Sequence, residues 1–302
     1  MKEKAKLPVG EEAVRLKGWW RAHRFLLLRR LSQAFFLLLF LLGPWFGLWW
    51  VAGTLAASRT FGILPLTDPL VLAQGIVAGH WPELTALTGA LIVLAAYALI
   101  GGRVYCSWVC PINPVTDAAH WLHDRLGLQK GWQPKRHTKL WLLGTVLVVS
   151  ALTGTIAWEV INPITMLHRG LVFGMGFAWA LVALVFLFDL LVSRRGWCGH
   201  LCPVGAFYGL LGTHSLLRVS AIKRAACDDC MDCFAVCPEN HVIAPGLRGK
   251  DDDTLLILSP DCTNCGRCID VCSVDVFAFT HRLDDHVEPP SSPPERSRHS
   301  TA

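Results

Sequence analysis

Four apolar runs separated by polar, charged connectors occupy most of this chain, at residues 32–57, 84–101, 140–158 and 171–192. Each approaches the roughly 20 helical residues that cross ~30 Å of hydrocarbon. None has the polar face that a helix on a soluble core would show, so the pattern predicts four membrane-spanning helices. Gly43-Pro44 falls inside the first run and should kink it, because proline frees a backbone carbonyl. That run starts at Ser32 and is longer than the apolar core of a secretory leader, which argues against a cleaved signal peptide. Ahead of it, residues 18–31 mix tryptophan, leucine and arginine, as a basic interfacial helix or a plain positively charged flank would. Residues 283–302 have too few apolar side chains to fold and are predicted to be disordered.

Lysine and arginine set the orientation. Nine precede the first run and six lie between the second and third, whereas the other two connectors hold Arg59 and Arg169 alone. Both termini are therefore expected in the cytoplasm of a multi-pass membrane protein. Composition agrees: 53% of residues are hydrophobic, 17% are charged, and mean hydropathy is +0.41. Thirteen tryptophans against three tyrosines suit a bilayer interface, where indole sits well. A net charge of +5, concentrated in connectors, gives no case for nucleic acid.

Cysteine supplies the chemistry. Eight of the twelve fall in two runs, Cys227-x2-Cys230-x2-Cys233-x3-Cys237-Pro and Cys262-x2-Cys265-x2-Cys268-x3-Cys272. This is the spacing of a two-cluster [4Fe–4S] ferredoxin, in which the fourth cysteine of each run ligates the other cluster. Cys227, Cys230, Cys233 and Cys272 are thus expected to hold one cluster, and Cys262, Cys265, Cys268 and Cys237 the second. Ser273 stands where the second run would carry proline. Zinc knuckles use paired cysteines or Cys/His sets and fit this spacing poorly. The expected domains are a basic cytoplasmic or interfacial segment (1–31), a four-helix membrane domain (32–220), a small α+β two-cluster ferredoxin domain (221–282) and the tail.

The remaining four cysteines sit in a repeat. Gly-Arg-Val-Tyr-Cys106-x3-Cys110-Pro111 follows the second run, and Arg-Arg-Gly-Trp-Cys198-x3-Cys202-Pro203 follows the fourth, 92 residues later. Asp68-Pro69 and Asn162-Pro163 echo one another at an offset of 94. The membrane domain therefore reads as two parallel two-helix repeats about an axis along the membrane normal, which would bring the four cysteines together. Three readings stay open for them: a further metal or iron–sulfur centre, redox-active thiol pairs beside a bound quinone, or packing thiols.

The segments CSWVCPINPVTD (106–117), GWCGHLCPVGAFYG (196–209), CMDCFAVCPE (230–239) and KGWWRAHRFLLLRRL (17–31) give the chain a specific likeness. It resembles the membrane polyferredoxin family, and within it the ferredoxin-type membrane subunits of periplasmic nitrate reductase systems. The resemblance implies a quinol dehydrogenase component that oxidises quinol from the quinone pool. It implies electron delivery through a periplasmic iron–sulfur ferredoxin-type subunit and a membrane-anchored multihaem cytochrome to nitrate reductase, with a cytoplasmic ferredoxin-type protein as a further partner.

Quinol oxidation needs proton acceptors at membrane depth. Asp68, Glu159 and His168 are candidates at the outer helix ends, and Asp189, Asp117 and His200 at the inner ends. His200 is the first choice because it lies between the cysteines of one motif. No phosphate loop, dinucleotide fingerprint or nucleophile elbow supports a nucleotide or flavin site. A redox-sensing protein and an assembly factor that feeds electrons to metal centres remain alternatives of other classes.

Overall fold

The computed structural model describes residues 8–128, 131–174, 176–249 and 254–283. Residues 1–7 of the basic segment, and the expected disordered tail from 284 on, lie outside them.

The N-terminal segment forms α1 (Glu11–Lys17) and the one-turn α2 (Trp19–Ala22). Glu11 and Glu12 open α1 and Arg15 and Lys17 close it, as the helix dipole favours. Next comes α3 (Arg24–Phe46), a 23-residue helix long and apolar enough to cross a membrane. Two expectations change here. The predicted interfacial helix over 18–31 is split at His23, and its second half forms the first turns of α3. The first apolar run does not stay helical to residue 57. Pro44 and left-handed Gly47 (φ 72°) end α3, and the chain turns into an antiparallel sheet of β1 (Val51–Gly53), β2 (Ala57–Thr60) and β3 (Leu64–Thr67). Hydropathy alone does not separate a buried helix from apolar strands.

The repeat predicted from sequence is visible in the backbone. In the first half, Asp68 caps α4 (Pro69–Val77) by accepting from the Leu70 N–H at 2.9 Å. Then follow α5 (Leu84–Ile100), α6 (Val104–Trp108) and α7 (Ile112–Arg125). In the second half, α8 (Thr138–Thr153) and α9 (Ala157–Ile161) lead to α10 (Pro163–Phe173), capped by Asn162 accepting from the Ile164 N–H at 3.1 Å. Proline at the first position of α4 and α10 suits a helix start, where no N–H is needed. After α10, α11 (Gly176–Leu187) continues through a π-helical turn at Phe188–Val192, a second π turn spans Trp197–Leu201, and α12 (Pro203–Leu211) follows. The run predicted over 171–192 is thus broken at Gly174, whose φ of 65° ends α10, and α10 folds back on α11. Among the described residues one helix passes the length test for a span; Leu84–Ile100, Thr138–Thr153 and Gly176–Val192 are apolar but shorter.

The C-terminal domain is small. Strands β4 (Leu217–Ser220) and β5 (Ala278–His281) pair antiparallel around α13 (Asp232–Val236), α14 (Ile243–Arg248) and α15 (Arg267–Val271). The boundary expected at 221 therefore moves back to include β4. Its core joins Val219, Val242, Ile243, Ile257, Val276 and Phe277 to Cys233 and Cys272. The domain is stitched to the helices, since the Leu216 N–H donates to Leu99 O (2.8 Å) and Arg282 Nη1 donates to Thr213 O (2.6 Å).

Candidate iron–sulfur and thiol site

The two cysteine loops share one unusual backbone. Asp229 (φ 56°) and Met231 (φ 67°) are left-handed in the first, and Asn264 (φ 47°) and Gly266 (φ 72°) occupy the equivalent positions in the second. Alternation of right- and left-handed residues turns successive N–H groups inward and makes the concave nest that suits anionic groups and Fe–S sites. The strain of left-handed Asp, Met and Asn is accepted at both loops. A Cβ on Gly266 would also come within 2.5 Å of the Phe25 ring, so glycine serves packing as well as conformation there. Cys237 and Cys272 terminate α13 and α15.

The loops bring three cysteines of one run together with the last cysteine of the other. A small cavity is walled by Cys237, Cys262, Cys265 and Cys268. In the first loop, burial and then the sulfurs of Cys230, Cys227 and Cys272 push the Cys233 thiol up to about 12. Burial and then Cys265, Cys237 and Cys262 push Cys268 well above its ordinary value. Crowded thiols that resist ionisation need a positively charged core to become thiolates, which iron provides. The donor set therefore fits iron–sulfur clusters. Charge differs between the loops. Burial comes first for Cys227 and Cys230, and the carboxylates of Asp228, Asp229 and Asp232 add to it. At Cys265, burial is outweighed by Arg267 and Arg29, and the thiol is lowered.

The other four cysteines also meet. Cys106 is on α6, Cys198 is on the second π turn, and Cys110 and Cys202 precede the prolines. Both motifs close with a π-type bond, from the Cys110 N–H to Tyr105 O and from the Cys202 N–H to Trp197 O, each at 2.9 Å. Such widened turns recur at functional sites. Cys110 is buried in the helical core, Cys106 and Cys202 pack against it, and Cys198 lies 3.8 Å from Thr116 Oγ1. Burial, followed by Asp189 and the other three sulfurs, raises Cys198 well above its ordinary value.

Arg103 ties this thiol group to the second ferredoxin loop. It is 3% exposed; Nη1 donates to Asp261 O (2.8 Å) and Glu239 Oε1 (3.1 Å), and Nη2 donates to Cys198 O (3.1 Å). From α6, Ser107 Oγ donates to Thr263 O (2.7 Å) and Trp108 Nε1 to Asn264 O (3.0 Å). The backbone of Gly102 runs so close to α12 that a Cβ would lie 1.6 Å from Tyr208 O.

The acid–base candidates scatter. Asp68 receives the Tyr208 hydroxyl (3.4 Å), and Tyr208 stacks on Tyr105 (4.9 Å) with Tyr97 edge-on. Asp68, at the start of α4, thus lies against the cysteine-bearing core. Glu159 is occupied as an acceptor from Asn162 Nδ2 (2.8 Å). His168 is buried beside Phe40, and neither ring nitrogen has a hydrogen-bond partner among the described residues. Asp189 pins the second π turn by accepting from the Trp197 N–H (2.8 Å). Asp117 is clamped by Arg267 (2.6 and 2.7 Å) and Arg30. His200 faces a cavity that also borders Cys237, Glu239 and His241. Sequence reasoning missed Arg103 and the tyrosine cluster. Arg103 counted there as one more inner-side charge, although its place three residues before Cys106 was the available signal.

Two protein families match the chain: a 4Fe-4S binding domain at residues 83–129 and again at 175–221, and a 4Fe-4S dicluster domain at 226–276. The first match covers one C-x3-C-P motif in each copy. Ferredoxin-type protein NapH of Escherichia coli is 52% identical over 278 residues, 92% of this chain and 96% of the relative. Methylamine utilization ferredoxin-type protein MauN of Paracoccus denitrificans is 54% identical over 268 residues, 88% and 94% of the two chains. The putative electron transport protein YccM of Escherichia coli is 29% identical over 244 residues, 72% of this chain and 65% of the relative. No solved structure matches the chain. With iron–sulfur domains in place and half its residues shared along nearly the whole length, this electron-transfer protein belongs to the NapH/MauN family of ferredoxin-type proteins.

Proposed function

We propose that the chain takes electrons from quinol at the bacterial inner membrane and passes them on through iron–sulfur centres. In this reading Arg24–Phe46 and the three shorter apolar helices span the bilayer as two parallel repeats, with both termini in the cytoplasm. Cys227, Cys230, Cys233 and Cys272 hold one [4Fe–4S] cluster, and Cys262, Cys265, Cys268 and Cys237 the other. Cys106, Cys110, Cys198 and Cys202 form a further centre, a choice favoured over packing thiols by the 4Fe-4S match to both halves.

The observation that carries the proposal is Arg103. One buried guanidinium touches the Cys198 carbonyl and the carbonyl ahead of Cys262, so the thiol group and the second loop are one packed unit. Clusters supply one-electron acceptor states whose potential the surrounding charge and hydrogen bonds set. What the chain supplies is position, and Asp68 beside the tyrosines is its best-placed proton acceptor.

Two settings are open. The sequence resemblance to the ferredoxin-type membrane subunits of periplasmic nitrate reductase systems supports one, with a periplasmic ferredoxin-type subunit and a membrane-anchored multihaem cytochrome as partners. MauN, at almost the same identity as NapH, points to methylamine utilization. Reduced quinol added anaerobically to the purified full chain should reduce its clusters, as read by paramagnetic resonance. Reduction by dithionite but not by quinol, with or without partner subunits, would replace this reading with the sensing or assembly role.

A further inference from the structure

We propose that the cavity between the N-terminal segment and the second cysteine loop binds a phosphate-class oxyanion, held by Arg29, Arg195 and Arg267. The inference is independent of the electron donor. The cavity measures about 610 Å³, the size of a small-ligand site, and lies between the first turns of α3, α7, the Arg194-Arg195 turn and α15.

Its unused bonding capacity has one sign. Arg29 is 1% exposed, and its Nε and Nη1 have no hydrogen-bond partner among the described residues. The Nε atoms of Arg195 and Arg267 are in the same condition. Guanidinium has donors and no acceptor, and buried donors left unmade cost free energy, so the complement is an acceptor. Three of the four carboxylates in the wall, Asp117, Asp124 and Asp270, are committed. Asp117 is clamped by Arg267 and Arg30, and Asp270 accepts from the Phe25 and Leu26 N–H groups at 3.1 and 2.9 Å. Asp124 and both ring nitrogens of His120 face Arg194.

That arrangement leaves few proton acceptors for the hydroxyls of a quinol. It favours an oxyanion, which guanidinium forks bind in pairs of charge-assisted bonds. Arg267 borders the four-cysteine cavity as well, but Arg29 does not, so Arg29 is directed to the larger space. Trp19 and Trp20 are exposed just ahead of α3, at the level where headgroups meet indole. An anionic lipid headgroup and free phosphate share the required chemistry.

The test uses the detergent-purified full chain with its iron retained. Phosphatidylglycerol and phosphatidylcholine are titrated separately and followed by native mass spectrometry, and inorganic phosphate is titrated in a third arm. One phosphatidylglycerol per chain should bind, phosphatidylcholine should bind weakly, and Arg29→Gln should weaken binding at least tenfold, with iron counted in the same sample because Arg29 also acts on Cys265. Binding of phosphate alone would assign the site to the free anion. Equal binding by R29Q, or binding of neither probe, would overturn the proposal. Should R29Q lose its iron, the wild type decides, because either anion must slow amide exchange at residues 24–30 and 267–271, and unchanged exchange rejects the site.

Discussion

The two cysteine loops of the C-terminal domain have the same spacing and the same left-handed positions, yet they face opposite surroundings. The first is ringed by Asp228, Asp229 and Asp232, and Cys227 and Cys230 are only partly buried. The second is pressed against α6, and Arg29, Arg103, Arg218 and Arg267 lie around Cys262 and Cys265. Reduction adds negative charge, so carboxylates oppose it and guanidinium groups favour it. Low dielectric strengthens both pulls. Spacing thus tells which metal group a loop can hold, while the neighbours decide how readily it takes an electron. In the proposed route the second loop is the natural receiver from the helical domain, because it is both the nearer and the more readily reduced.

The largest effect should come from removing one ligand on each side. Cys265→Ser and Cys230→Ser are each expected to lower iron by about four atoms per chain, the content of one cluster. The comparison makes a further demand: C265S should also loosen the α6 contact and lower thermal stability, whereas C230S, in the more open loop, should lose iron with less unfolding. Equal melting of the two variants would break the claim that the second loop is the structural one.

Arg103 comes next. Truncating one partner of a buried ion pair leaves the other unpaired, which typically costs about 3–5 kcal/mol. Arg103→Gln should show a loss of that order in denaturant unfolding, because Glu239 is itself buried. The pair R103Q/E239Q should recover a measurable part of it. A double variant as unstable as the sum of the singles would argue that Arg103 acts through Cys198 and Asp261 alone.

Much of this site was legible in the sequence, for reasons that differ by residue. The eight cysteines announce a ferredoxin because thiolate spacing is set by cluster size, and the Asp68/Asn162 echo became two matching helix caps because side-chain capping is local chemistry. The end of α3 was not legible. After Gly47 the chain stays apolar, and whether Trp49 to Thr60 becomes helix or strand depends on the hairpin it forms with residues 64–67, which hydropathy does not contain. Arg103 was obscured in a similar way, because a positive-inside count treats as equivalent a lysine in water and a guanidinium buried under two loops.

Charge reversal around the loops would sharpen the comparison. Arg267→Gln should lower the midpoint potential of the second site, and Asp229→Asn should raise that of the first, each by on the order of tens of millivolts, since one charge at close range in a partly shielded interior has that strength. Redox titration followed by paramagnetic resonance should show the gap between the two narrowing in either variant. A gap that widens, or a first site of higher potential in the wild type, would overturn the claim that its surroundings make the second loop the readier electron acceptor.

The smallest effect concerns protons on the basic flank. Burial first, then Arg195 and Arg194, push His120 down to about 3 from its ordinary 6.5. A histidine kept neutral in the fold takes up a proton on unfolding at any pH between those values, so the unfolded state binds more protons there. Its contribution to stability is present above pH 6.5 and declines as the pH falls toward 3. Thermal melting at pH 7 and at pH 5.5 should therefore differ, and His120→Gln should reduce the difference while its stability at pH 7 changes less. A slope unchanged in the His120 variant would remove this histidine from the balance of charges that distinguishes the second loop from the first.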